Sequence, residues 1–148
     1  MKLLSDIRLR WYDESSSLID DRRELMELFL NSIGAKTKIA ADIFEVLLIA
    51  RSRDIAITSA DIKNAILDLR RQRNEKDIQE GLTNRNIQLW LKFFRELGLI
   101  DMLGKRYRFT GNKIPSEAFL QYTRPIIDSS ADFVYNLLKN LESHYGLK

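Results

Sequence analysis

The chain has no cysteine and one histidine, His144. Lacking thiols, it can form no disulfide, thiolate zinc site or cysteine nucleophile. It has no Gly-rich phosphate loop, no His-Glu-x-x-His and no Gly-x-Ser-x-Gly motif. No nucleophile–base pair stands out. Adjacent Asp20 and Asp21 could hold a metal, but a charged helix start uses the same residue types. The expectation is a non-enzyme without cofactor or metal. Long apolar runs are also missing. The longest, such as Val46–Ala50, is far too short to cross a bilayer, and the opening Met1–Asp6 has no apolar core of signal-peptide length. A soluble, cytoplasmic protein with no membrane partner is expected. Frequent isoleucine without cysteine hints at a thermophile.

Only two prolines occur, Pro115 and Pro125, so the first 114 residues carry no proline break. With 45% hydrophobic and 30% charged residues over 148 positions, the chain can bury a core without covalent staples. The net charge of +3 is unevenly spread. Residues 83–113 hold 7 basic and 2 acidic residues, whereas residues 1–50 hold 7 basic and 9 acidic. Such clustering is what a phosphate-binding surface requires.

Apolar residues recur at helical spacing along most of the chain. A first helix is expected over about Ser17–Asn31, with Leu18, Leu25, Met26, Phe29 and Leu30 on its apolar face and a stop at Gly34. A second is expected over about Lys36–Arg51 on Ile39, Ile43, Val46, Leu47 and Ala50. Ile55 and Ile57 alternate as a very short strand. Thr58 or Ser59 then caps a third helix with Ile62, Ala65, Ile66 and Leu69 inward. After the polar stretch Arg70–Gly81, Thr83 caps a fourth helix that stops at Gly98. Leu99–Met102, a turn at Leu103–Lys105 and Arg106–Thr110 read as a hairpin, with Arg106 and Arg108 on one face and Tyr107 and Phe109 on the other.

The segments Ile57-Thr58-Ser59-Ala60-Asp61-Ile62, Leu82-Thr83-Asn84-Arg85-Asn86-Ile87 and Phe94-Arg95-Glu96-Leu97-Gly98-Leu99-Ile100, followed by the basic hairpin, resemble the winged helix-turn-helix superfamily over roughly residues 36–110. The resemblance implies a mainly α fold with a small β-hairpin wing. It implies a second motif helix (about 83–97) in the major groove and a wing (about 99–110) on backbone or minor groove. One departure is the connection between the two motif helices, which spans about 11 residues instead of a few. Either the third helix is extended or the turn carries an insertion. The domain expectation is an N-terminal helical segment (1–35), the winged core (36–112) and a C-terminal helical arm (113–148).

Sorted at 100° per residue, Ile87, Trp90, Leu91, Phe94 and Leu97 form the core side of the fourth helix. Arg85, Gln88, Leu89, Lys92 and Glu96 lie opposite, with Asn84, Asn86 and Arg95 on the flanks. Thr83, Asn84, Arg85 and Gln88 open the helix, and Arg85 and Gln88 are best set for base edges. Lys92 and Arg95 suit phosphates. Lys105, Arg106 and Arg108 of the wing would grip backbone or enter the minor groove, or else guard a strand edge against aggregation. Arg70, Arg71, Arg73 and Lys76 form a second cluster suited to backbone contact or to plain solubility. Tyr107 and Phe109 would stack on single strands only if they were not core. In the arm, a short helix over 115–122 and a longer one from Pro125 to about His144 are expected. Ile127, Ala131, Val134, Leu138, Leu141 and Tyr145, spaced 4-3-4-3-4, form a coiled-coil seam. That seam either packs back on its own domain or joins a second copy into a homodimer, the outcome expected here. The expected function is sequence-specific or architectural binding of double-stranded DNA as a dimeric, nucleoid-associated transcriptional regulator. The alternatives are a winged-helix module for protein partners in a multiprotein complex, to which Leu89 would belong, and single-strand or RNA binding.

Overall fold

The computed structural model describes residues 1–148. It is mainly helical with one small antiparallel sheet. Helices α1 (Arg22–Ser32), α2 (Lys38–Ser52) and α3 (Ser59–Gln72) precede α4 (Asn84–Glu96). A two-residue strand β1 (Ile57–Thr58) lies between α2 and α3, and β2 (Ile100–Leu103) and β3 (Arg106–Phe109) follow α4. Helices α5 (Pro115–Ala118) and α6 (Arg124–His144) close the chain.

Caps set the helix starts. Side-chain oxygens of Asp21, Thr37, Thr58 and Thr83 each accept from the backbone N–H three residues on, as unpaired first-turn donors require. The Asp21 cap moves the first helix from the expected start near Ser17 to Arg22. A short 3-10 turn, Glu14–Leu18, precedes it under its own cap, Asp13. Leu18 and Leu25 consequently face solvent, while Leu30 is buried. The strand before α3 is also shorter than the Ile55–Ile57 alternation suggests. Asp54 adopts a positive φ at the end of α2, so only Ile57 and Thr58 pair, opposite Tyr107 and Arg106 of β3. Ile55 is exposed.

One core joins α1 through β3. Phe44 of α2 sits at its centre, with ring centroids 4.9 Å from Phe29, 5.5 Å from Phe94 and 5.6 Å from Phe109. Around it, Ile43, Leu47, Ile62, Ile66, Ile87 and Leu91 are buried. Tyr107 and Phe109 belong to this core, and Trp90 packs half-buried on its edge. The sheet order is β1-β3-β2, which puts the β2–β3 hairpin beside the end of α4.

Gly98 makes the turn from α4 into β2 at φ +76°, and a Cβ there would lie 2.8 Å from the Tyr122 carbonyl oxygen. Gly98→Ala should therefore lose about 1–2 kcal/mol from the left-handed backbone alone and more from the displaced helix beyond it. A lowered denaturant midpoint at unchanged slope would register the loss. An unchanged midpoint would mean that this approach is not needed.

The C-terminal arm is one helical rod rather than two helices. Between α5 and α6 the chain makes a π turn, Phe119–Thr123, with helical dihedrals at both ends. Pro125 has no N–H and its ring crowds the carbonyl four residues back, and the widened turn accommodates it without a break. Ile126, Ile127 and Ser130 still touch the body. From Ala131 onward every residue is exposed, so α6 projects about 20 Å at 1.5 Å per residue. Of the seam only Ile127 packs back on its own domain; Ala131, Val134, Leu138, Leu141 and Tyr145 do not. The N-terminal strand of chain runs past the root of this rod, with Ser5 Oγ 2.9 Å from Ser130 Oγ and the Arg10 N–H donating to the Ser32 carbonyl.

Candidate nucleic-acid interface

Helix α4 turns Ile87, Leu91 and Phe94 into the core and leaves Thr83, Asn84, Arg85, Gln88, Leu89, Lys92, Arg95 and Glu96 exposed at its start and along its outer face. This matches the angular sorting. Thr83 is committed to its cap, and Asn86 donates to the Gly81 carbonyl at 2.9 Å, so both hold the start of the helix. Gln88 Oε1 accepts from the Tyr107 hydroxyl at 3.3 Å, which links the outer face to the hairpin. Lys92 lies 3.8 Å from Glu96, but both ends are well exposed and the pair is worth little. Arg85, Arg95 and Lys105 enter none of the ion pairs of the chain. Arg106 is exposed and donates weakly, at 3.3 Å, to the Ala56 carbonyl.

Arg108 does not join this surface. The strand register sets it directly opposite Asp101, and its Nε donates to Asp101 Oδ1 at 2.9 Å. Asp101 also accepts from the Gly111 N–H at 3.1 Å. Arg108 therefore serves as a cross-strand partner that ties the hairpin to the turn after it, instead of being a free phosphate ligand.

The Arg70 cluster needs a larger correction. Arg70 has no exposed surface. Its Nε donates to Asp42 Oδ2 at 3.0 Å, and its Nη1 donates to the carbonyls of Ile78 at 3.1 Å and Glu80 at 2.7 Å. Arg73 bridges Asp42, Glu45 and Glu75, and Lys38 completes the chain of charges by pairing with Glu75. Burial opposes the Arg73 charge, but the hydrogen bond to Asp42 and the attraction of Glu45 outweigh it and hold the guanidinium above its ordinary basicity. The Lys38 hydrogen bond holds the Glu75 carboxyl below the usual carboxylate range. The stabilisation from Glu75 is thus present above the unfolded pKa of about 4.3 and fades as pH falls through the lowered folded value. Arg70 is buried and Arg73 is half-buried in the ion-pair network, and of the four residues only Arg71 and Lys76 are fully exposed. Arg71 pairs with Asp68 at 3.2 Å.

Asp42 was not singled out from the sequence. It interrupts the apolar stretch Ile39-Ala40-Ala41 and Ile43-Phe44, and an acid in such a run signals a buried partner. The connection after Arg70 also takes its form here. Helix α3 stops at Gln72 and the turn carries the insertion.

Arg85, Lys92 and Arg95 on α4 and Lys105 and Arg106 at the hairpin tip thus form one group of exposed cations on two adjoining elements. Their charge is not cancelled within the chain, whereas the basic residues of the α2–α3 region are largely neutralised. No helix is long and apolar enough to cross a membrane. No protein-family model, curated protein or solved structure matches the chain.

Proposed function

We propose that this chain is a winged helix-turn-helix protein that binds double-stranded DNA as a homodimeric, nucleoid-associated transcriptional regulator. In this reading α4 lies in the major groove and the β2–β3 hairpin lies on the backbone. The order α2-β1-α3-α4-β2-β3 supports it. The observation that carries it is the unpaired cationic surface of Arg85, Arg95 and Lys105, with Lys92 and Arg106 beside them. Arg85 and Gln88 lie near the start of α4, where side chains reach base edges. The exposed seam of α6 is the surface for a second copy.

The test is binding to random-sequence duplex DNA across a salt series. About four phosphate contacts per protomer, from Lys92, Arg95, Lys105 and Arg106, predict a slope in log affinity against log salt near −3.6 per protomer, or about −7 for the dimer. Lys105→Ala should weaken all sequences alike and reduce the slope by about one per protomer. Arg85→Ala should cost about 1–3 kcal/mol on a selected site. No binding at low salt would overturn the proposal.

A second reading has one observation in its favour. Leu89 is 58% exposed in the middle of the α4 outer face, where a protein partner would find an apolar anchor. Negligible duplex affinity together with a specific protein complex lost on Leu89→Ala would favour it.

A further inference from the structure

We infer that Arg70 is a positioning residue for DNA binding: its buried guanidinium clamps the inserted connection and so sets where the DNA-facing end of α4 begins. This rests on the DNA reading above.

The connection between α3 and α4 is long for a helix-turn-helix, and free segments of this length move. Here it is held near both ends. At its start, Glu75 is tied to Lys38 and Arg73, and through Arg73 to Asp42 and Glu45 on α2. Towards its end, one nitrogen of Arg70 holds the carbonyls of Ile78 and Glu80 while another holds Asp42. Glu80 stands three residues before the Thr83 cap, and Leu82 between them is buried. One planar guanidinium therefore links α2, α3 and the approach to α4. Lysine lacks the fork to hold a carboxylate and two carbonyls in different directions. Nη2 is buried without a partner, so Nε and Nη1 carry the whole clamp. A displacement of about 1 Å is enough to spoil a binding constellation, and Arg85 lies two residues beyond the cap.

The test removes the clamp without leaving a buried charge. In Asp42→Leu/Arg70→Met an apolar pair replaces the ion pair, a change that folds commonly tolerate, and Arg73 keeps Glu45 and Glu75. Melting should stay close to wild type. Trypsin cleavage after Lys76 should quicken about tenfold, and random-sequence duplex should bind about tenfold more weakly. The deciding readout is coupling on a selected site: Arg85→Ala weakens binding in the wild-type background but makes little further difference in the clamp-free one. A purely structural role for Arg70 would leave the effect of Arg85→Ala equal in both backgrounds, and that result overturns the inference while the DNA reading stands. Failure of the wild type to bind duplex removes both. Should the double variant not fold, hydrogen exchange on the wild type decides. The Leu82 and Thr83 amides, bonded to Gln79 and Gly81, should be protected, and exchange at free-chain rates overturns the clamp.

Discussion

Asp42→Ala is expected to lower the unfolding free energy by about 3–5 kcal/mol, as for the loss of one partner from a buried ion pair. Asp42 and Arg70 have no exposed surface, and Arg70 Nη2 already lacks an acceptor. Removing the carboxylate leaves a guanidinium charge in the interior with only two carbonyls to accept from it. Arg73 would at the same time lose the 2.8 Å contact that links it to α2. In Asp42→Leu/Arg70→Met both charges leave together, so most of this loss should be absent. Urea denaturation of the two variants separates the cases. Equal destabilisation would mean that the pair itself, and not the orphaned charge, carries the stability. A single-variant loss under about 1 kcal/mol would mean that water reaches Arg70, contrary to its complete burial.

The second large effect concerns α6. Phe133, Val134, Leu137, Leu138, Leu141 and Tyr145 are all about half exposed or more on a helix that leaves the body. A rod this apolar is not stable alone in water. The proposed mate is a second α6, since a 4-3-4-3-4 seam can meet its own copy across a two-fold axis. Leu138→Asp should then raise the dimer dissociation constant by about 10²–10⁴-fold. That range follows from about 1.5–3 kcal/mol per buried leucine, counted twice by symmetry. The protomer should keep its fold, because Leu138 touches nothing in its own body. Lys139→Ala, on the polar side of the same helix, should leave association unchanged. Sedimentation across a concentration series reads all three proteins. A monomeric wild type at high concentration would exclude the second copy, and equal dissociation of both variants would exclude this seam.

Much of the architecture was legible locally. Thr58, Thr83 and the Gly98 stop marked helix ends because capping depends on one side chain and a few nearby backbone groups. The inward and outward faces of α4 followed from its period, and so did the burial of Tyr107 and Phe109. Arg85, Lys92 and Arg95 therefore emerged where the angular reading put them, and Lys105 and Arg106 where the hairpin reading did. Asp13 and Asp21 captured two separate turns from what periodicity read as one helix, since apolar spacing does not say which acid wins the cap.

The order of elements, the sidedness of α4 and the gathering of positive charge in residues 83–113 are local properties, because they depend on neighbours a few positions away. Which cations are free depends on contacts between residues far apart in the chain. Arg108 is cancelled by Asp101 across a strand register, and Arg70 and Arg73 by acids 28 to 31 positions back on α2. The rod from Pro115 to His144 was likewise settled by how the π turn absorbs Pro125 and by the absence of any body beneath its second half. Charge pairing is a property of distance in space, and helical period carries no information about it.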